Sequence, residues 1–251
     1  MSHAAMPTTA HTAAAGMKVY QLFDGGESGS STFTYLLACD KSRECVLIDP
    51  VLEQVDRDSA LIDSLGLTLK YALNTHCHAD HITGTGQLKV IYPFAKSMIS
   101  EASGAKADIL LSHNQIVFFG SPDSQFQLQV LATPGHTNGC LCYYSSALAT
   151  VFTGDTLMVG GCGRTDFQEG SSTTLFDSVH NHLFTLPPST TVLPAHDYKG
   201  ETSSTIGAEK DNNPRLSSTK QEFIKIMEGL NLSYPGKIDT AVPANMQCGL
   251  F

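Results

Sequence analysis

From residue 17 onward, apolar positions come in short β-branched and aromatic runs separated by turn-forming pairs. Residues 19–23, 32–38 and 45–48 read as strands, with Gly25-Gly26 and Asp40-Lys41 as turns between them. The period then changes: Val51, Val55, Leu61, Ile62 and Leu65 share one face of an amphipathic helix over residues 51–65. Residues 69–73 form a further apolar run, predicted as a buried strand, and it leads directly into Thr75-His76-Cys77-His78-Ala79-Asp80-His81.

The second half repeats the plan. Residues 116–119, 127–132, 141–144, 150–153 and 191–193 read as strands, and residues 175–183 and 220–230 as helices. Pro187-Pro188 and Asn213-Pro214 punctuate the connections. Strand runs with interspersed helices, twice over, predict two β-sheets packed together with helices outside. Residues 1–16 hold no acidic residue, no aromatic and no hydrophobic period, and they lack the arginines of a transit peptide. They are set outside the fold as a frayed end, a cloning remnant or the remainder of a presequence, which leaves residues 17–251 as one domain.

Composition narrows the function. Charged residues make up only 16% of the 251 and apolar residues 41%, which fits a compact body with much buried surface. The net charge of −9 and the lack of any Lys/Arg cluster exclude a nucleic-acid reader, which needs a basic face. No apolar run approaches the roughly 18 residues that span a bilayer, so a soluble protein without a membrane partner is expected. Seven scattered cysteines, an odd number, read as reduced thiols rather than a disulfide framework.

Candidate chemistry lies at the ends of the predicted strands. His76, His78, Asp80 and His81 place four metal-capable side chains within six positions. Pro134-Gly135-His136-Thr137, Thr153-Gly154-Asp155-Thr156 and Pro194-Ala195-His196-Asp197 each add a His or Asp after an apolar run, in a loop of small residues. Strand-end loops are where a rigid sheet presents ligands. Imidazole with carboxylate suits zinc or iron, whereas calcium and magnesium prefer oxygen alone.

The pattern T-H-x-H-x-D-H, then P-G-H-T, T-G-D and P-A-H-D, resembles the metallo-β-lactamase superfamily. That resemblance covers nearly all of residues 17–251 and implies an α/β fold, a four-layer αββα sandwich with metal at the sheet edge. Within the superfamily, NTHCHADHITGTG, RTDFQ, FTLPP, PAHDYKG, NPRL and VPANMQCG resemble the persulfide dioxygenases. The resemblance implies one Fe(2+) per chain held by His76, His136 and Asp155, with His78, Asp80, His81 and His196 in supporting positions. Two histidines and a carboxylate on one face leave about three positions of an octahedral iron open. It further implies glutathione persulfide and O2 as substrates, sulfite and glutathione as products, a homodimer, and residence in the mitochondrial matrix, with the cytoplasm as the alternative.

Arg164, Tyr198 and Arg215 match positions that the resemblance associates with the glutathione pocket, and Arg164 is expected either to hold a glutathione carboxylate or to steady its own loop. Cys77 is expected to point away from the metal and Cys248 to be an inert thiol, while His113, His180 and His182 are expected at the surface. The rival activity is that of glyoxalase II, a two-metal thioesterase with the same ligand motif. Such chains carry a helical, basic C-terminal region, whereas here only 55 residues follow His196 and they end in a different tail. A non-enzymatic metal-binding scaffold is disfavoured by the intact ligand set.

Overall fold

The computed structural model describes residues 9–12, 16–25, 30–121, 126–196 and 200–250. Two sheets lie face to face. The first runs in sequence order through β1 (Thr9–Thr12), β2 (Met17–Phe23), β3 (Phe33–Cys39), β4 (Glu44–Ile48), β5 (Thr68–Leu73), β6 (Lys96–Ser100) and β7 (Ile109–Leu111). Strands β1 to β4 pair antiparallel and β4 to β7 parallel. Helix α1 (Val55–Ser64) makes the crossover from β4 to β5, and α2 (Thr85–Ile91) that from β5 to β6.

The second sheet contains β8 (Ile116–Phe119), β9 (Phe126–Ala132), β10 (Leu141–Ser145), β11 (Thr150–Gly154), β12 (Thr191–Pro194) and β13 (Ser204–Thr205), in the order β13-β12-β11-β10-β9-β8. Its one parallel pair, β11 with β12, is bridged by α3 (Ser172–Ser178), which runs on into a π turn at Val179–Leu183. Helices α4 (Ile206–Asn212), α5 (Lys220–Glu228) and α6 (Ile238–Asn245) complete the chain.

Three apolar clusters account for the layers. Between the sheets pack Tyr35, Leu37, Val46, Ile48 and Leu73 from one side and Leu128, Val130, Tyr143 and Phe152 from the other. Outside the first sheet, Leu36, Leu47 and Leu69 meet Val55 and Ile62 of α1 and Leu88 of α2. Outside the second, Leu131, Val151 and Val192 meet Leu175 of α3 and Phe223 and Met227 of α5. Because both faces of β3, β4 and β11 are covered, these strands are buried along almost their whole length rather than at alternate positions. The four-layer arrangement expected from the sequence is present.

One expectation is corrected. Residues 9–12, set outside the fold by their composition, form the edge strand β1 along β2, with Thr9 opposite Gln21 and Thr12 opposite Lys18. A backbone ladder needs no apolar side chains, so a hydrophobic pattern cannot reveal it.

The two sheets are tied together at one edge. The Tyr35 hydroxyl on β3 donates to the Pro194 carbonyl on β12 (2.6 Å), and the Tyr143 hydroxyl on β10 donates to the Asn74 carbonyl after β5 (2.7 Å). Backbone bonds reinforce both crossings: Phe33 N–H to Ala195 O at 2.7 Å and Leu141 N–H to Thr75 O at 2.8 Å. Tyr143→Phe is therefore expected to cost about 1–3 kcal/mol, because a buried carbonyl loses its donor. Urea denaturation measures this, and unchanged stability would show the crossing to be dispensable.

Asp58, fully buried on α1, receives Nε and Nη2 of Arg57 on one oxygen (2.9 and 2.8 Å), and its other oxygen has no hydrogen-bond partner. Burial, only partly offset by Arg57, pushes its pKa up to about 6. The folded protein thus holds this proton more tightly than the unfolded chain, and stability falls as pH rises from about 4 to about 6. Asp58→Asn is expected to remove about 1–3 kcal/mol of that decline. Denaturation of both proteins at pH 4 and pH 7 checks it; equal pH dependence would refute the assignment.

Candidate metal centre

At the tied edge, four strand ends converge. Leaving β5, the chain carries Thr75, His76, His78, Asp80 and His81; β9 leads to His136, β11 to Asp155 and β12 to His196. All except Asp80 are buried, and Asp80 keeps partial exposure. Tight turns at these ends demand glycine. Gly154 has φ +53°, and a Cβ there would lie 2.6 Å from Oγ1 of Thr75.

Hydrogen bonds fix which imidazole nitrogens face inward. Nδ1 of His136 lies 2.6 Å from the Arg164 carbonyl. A carbonyl only accepts, so this nitrogen carries a proton, and Nε2 is the ring nitrogen turned toward the centre. That Nε2 stands 3.4 Å from Oδ2 of Asp155, close enough for one ion to meet both atoms. Thr75 gives its hydroxyl proton to Oδ2 of Asp49 (2.8 Å), so its oxygen accepts from Nδ1 of His76 at 3.0 Å, and His76 likewise keeps Nε2 free. Burial, with His78 and His136 nearby, holds the His76 pKa well below the ordinary range and keeps this ring neutral.

These observations fit a cation. His76, His136 and Asp155 each offer a ligand atom, all within 4.8 Å of one another, and His78, Asp80 and His81 form a second such group. Among the described residues, Nδ1 of His78 and Nε2 of His81 are buried without hydrogen-bond partners, and Oδ1 of Asp155 meets only Nε2 of His196. Buried polar atoms are rarely left so unless an ion or water satisfies them. The second group is internally better paired, since Nδ1 of His81 is 3.1 Å from Oδ2 of Asp80. Nε2 of His196 lies 3.3 Å from Asp155 and 3.6 Å from Asp80. Burial alone would lower its pKa, but those two carboxylates outweigh it and raise it to about 9.

Supporting residues came to light that motif reading had missed. Asp49, at φ +52° after β4, accepts from the backbone N–H and hydroxyl of Thr75 (2.7 and 2.8 Å) and lies 3.1 Å from Nε2 of His78. Asn245 of α6 donates to the carbonyls of His78 and His81 (2.8 and 2.9 Å) and accepts from Thr83 N–H at 2.8 Å, pinning the histidine-rich turn. A carboxylate ending an apolar strand was the one sequence signal for Asp49. Asn245 sits in the tail quoted above for its resemblance, but its role depends on pairing across 162 to 167 residues of chain.

A cavity of about 390 Å³ opens onto the centre, lined by Asp80, His136, Asp155 and His196 and walled by the loop from Met158 to Arg164 and by Arg215. Arg164 does not reach into it with a free fork. Its Nε and Nη2 grip Asp166 at 2.7 Å each, and Nη1 donates to the Ser233 carbonyl at 2.8 Å. Of the two expected roles, steadying the loop is the one its contacts serve. Arg215 donates one Nη1 bond to the Cys162 carbonyl (3.1 Å), and no carboxylate among the described residues pairs with it. Tyr198 lies outside the described residues.

Cys77 is buried with its sulfur 3.9 Å from the Val242 carbonyl, facing α6 rather than the cavity, as expected. Cys248 stands by Ser97, Lys89 and Asp108, also away from the cavity, and burial raises its pKa. His113 is exposed, but His180 and His182 are only half-exposed, His180 stacking on Phe176 at 3.9 Å.

A sandwich of two sheets with a histidine- and aspartate-lined centre at one edge defines the metallo-beta-lactamase superfamily, whose sequence pattern matches residues 28–196. The "Persulfide dioxygenase ETHE1, mitochondrial" of Mus musculus is 53% identical over 89% of this chain and 87% of its own length. The crystal structure of ETHE1 from Myxococcus xanthus superposes with a TM-score of 0.86 at 48% identity, over 92% of this chain and 99% of that one. A hydroxyacylglutathione hydrolase of Rhodospirillum rubrum shares 34% identity over 67% of this chain and 63% of its own. Within the superfamily, this chain belongs to the persulfide dioxygenase family.

Proposed function

We infer that the chain oxidises glutathione persulfide with O2 and water to sulfite and glutathione, using one Fe(2+) held by His76, His136 and Asp155. The observation that carries this reading is the convergence of His76, His136 and Asp155 within 4.8 Å, with Nε2 of His136 facing Asp155 at 3.4 Å where the cavity reaches the centre. Two imidazoles and one carboxylate on one face are the donor set of iron(II) oxygenases with open positions. Iron bound there would relay electrons from the persulfide to O2, redox chemistry that the side chains do not supply by themselves. The reaction balances as GSSH + O2 + H2O giving GSH, SO3²⁻ and two protons, with the outer sulfur losing four electrons and O2 gaining four.

The chain's own residues do the rest. Arg164 O and Thr75 Oγ1 hold the two ligand rings with Nε2 inward. Asp49 and Asn245 fix the turn that carries His76, His78, Asp80 and His81. In this reading His78, Asp80, His81 and His196 support the centre rather than hold a second ion, and Asp80 and His196 line the space where the persulfide enters. Arg215, unpaired by any described carboxylate and facing the cavity, receives a glutathione carboxylate. Arg164 and Asp166 keep the wall in place.

Residence in mitochondria and assembly as a homodimer belong to the same reading. The printed name of the mouse relative supports the first, and the exposed Val90 and Phe94 at the end of α2 offer apolar surface for the second. The deciding experiment is the metal content of protein purified without added metal, together with oxygen uptake on glutathione persulfide. One iron per chain with oxygen consumed and sulfite formed is expected. Two ions per chain, no oxygen uptake and hydrolysis of lactoylglutathione would assign the hydrolase reaction of the more distant relatives instead, with His78, Asp80, His81 and His196 as second-ion ligands.

A further inference from the structure

Each of five consecutive residues of the cavity wall has a backbone group fastened by a hydrogen bond, and Gly161 is also paired with Met158 through both backbones. Gly160 N–H donates to Oε2 of Glu209 at 3.0 Å, the Gly161 carbonyl accepts from Nδ2 of Asn213 at 3.1 Å, and the Cys162 carbonyl accepts from Arg215 at 3.1 Å. The next two fastenings reach the metal ligands: Gly163 N–H donates to the Asp155 carbonyl at 2.7 Å, and the Arg164 carbonyl accepts from Nδ1 of His136 at 2.6 Å. The first three come from one short stretch at the end of α4 and the latter two from the centre itself. Glu209 and Asn213 are 4% and 1% exposed, and they bond to each other at 2.7 Å. Asn213 also accepts from the backbone N–H groups of Arg215 and Leu216 at 3.1 Å each, which sets the path of the Arg215 backbone.

Three of the wall's five residues are glycines, Gly160 at φ +61°, and a glycine-rich segment has more conformational freedom to lose than any other. Met158 and Gly161 bond to each other through their backbones at 3.0 and 3.2 Å, and the remaining fastenings come from outside this turn. A buried carboxylate accepting a backbone N–H is a charge-assisted bond, stronger than a neutral one and costly to leave unmade.

We propose that Glu209 is a positioning residue for the metal centre, with Asn213 as its partner. Together they latch the Gly160–Gly161 wall to α4, so that the same loop, four residues on from Gly160, aims the His136 ring and, through Gly163, holds Asp155. The latch also sets where Arg215 meets the incoming substrate. It therefore links metal retention to substrate affinity through a helix that touches neither. The inference rests on the ligand assignment made above, but its first readout needs only the metal.

The test is Fe(II) binding by chelator competition on the full-length protein, with kcat and KM for glutathione persulfide measured alongside. Glu209→Ala is expected to weaken Fe(II) binding about tenfold, the lower end of what loss of a supporting group costs, and to raise KM. Glu209→Gln keeps a carbonyl oxygen for Gly160 N–H and Asn213 and is expected to restore both to within about twofold of wild type. A Glu209→Ala protein that binds iron like wild type, or a Glu209→Gln protein as impaired as the alanine variant, would overturn the proposal. If Glu209→Ala does not fold, Asn213→Asp decides: it keeps the acceptor for Arg215 and Leu216 but loses the donor to Gly161 and sets two carboxylates together. About tenfold weaker iron binding supports the latch, and unchanged binding refutes it. Wild-type protein that holds iron yet consumes no oxygen would sink the activity reading while leaving the latch to stand or fall on iron binding.

Discussion

Asp155→Ala is expected to purify without iron and to show no measurable oxygen uptake on glutathione persulfide. Asp155 supplies the only carboxylate of its group, and its loss leaves two imidazoles, His76 and His136, with no negative charge to balance a dication. Losing a group that merely orients a ligand costs roughly 10- to 100-fold in metal affinity, and removing the ligand must exceed that. The change should be specific. The metal-free variant should keep its fold, because the Asp155 backbone still accepts from Gly163 and its side chain carries no strand pairing. Cys248→Ala is the matched comparison, since that thiol lies beside Ser97 and away from the cavity. It is expected to keep iron and turnover. Metal analysis of both proteins reads the outcome, and equal loss of iron in the two would overturn the ligand assignment.

How much of this was legible in the sequence follows from how local each signal is. His76, His136, Asp155 and His196 could be found because each follows an apolar strand and sits among small residues, so strand pattern and chemistry coincide within a few positions. The two-sheet architecture could be read for the same reason, from runs of three to seven mostly apolar residues. Helix α2 could not. It carries Gly86 and a weak apolar stripe, and it is helical because the C-terminal tail lies across it: a Cβ on Gly86 would meet the Cys248 carbonyl at 2.6 Å. Helix α6 contains Pro243, which argues against a helix locally, yet packing of Ala241, Ala244 and Asn245 selects one. Asp49, Asn245 and Glu209 share a further trait. Each acts on backbone groups 26 to 167 residues away, and nothing beside them in sequence marks the partner.

The glycines of the cavity wall make that dependence measurable. A Cβ on Gly163 would stand 2.7 Å from the Asp155 carbonyl and 2.8 Å from both Cγ and Nδ1 of His136. Both neighbours are fixed, one as backbone and the other as a ring already bound to Arg164 O, so neither can swing aside as a flexible side chain would. Relief requires the loop or the ring to move by about half an ångström or more, at the limit of what a catalytic constellation tolerates. Gly163→Ala is expected to lose about 100-fold in kcat/KM, the scale set by a displacement approaching 1 Å, and about 1–3 kcal/mol in stability from overpacking. Gly161, two residues earlier, has open space where its Cβ would go. Gly161→Ala should therefore retain iron, and any effect should fall on KM, since the new methyl enters the cavity rather than the centre. Iron content and steady-state kinetics of the two variants side by side distinguish these positions. If both alanines behave alike, the wall acts as a passive surface and the contact between Gly163 and the ligands does not set the geometry of the centre.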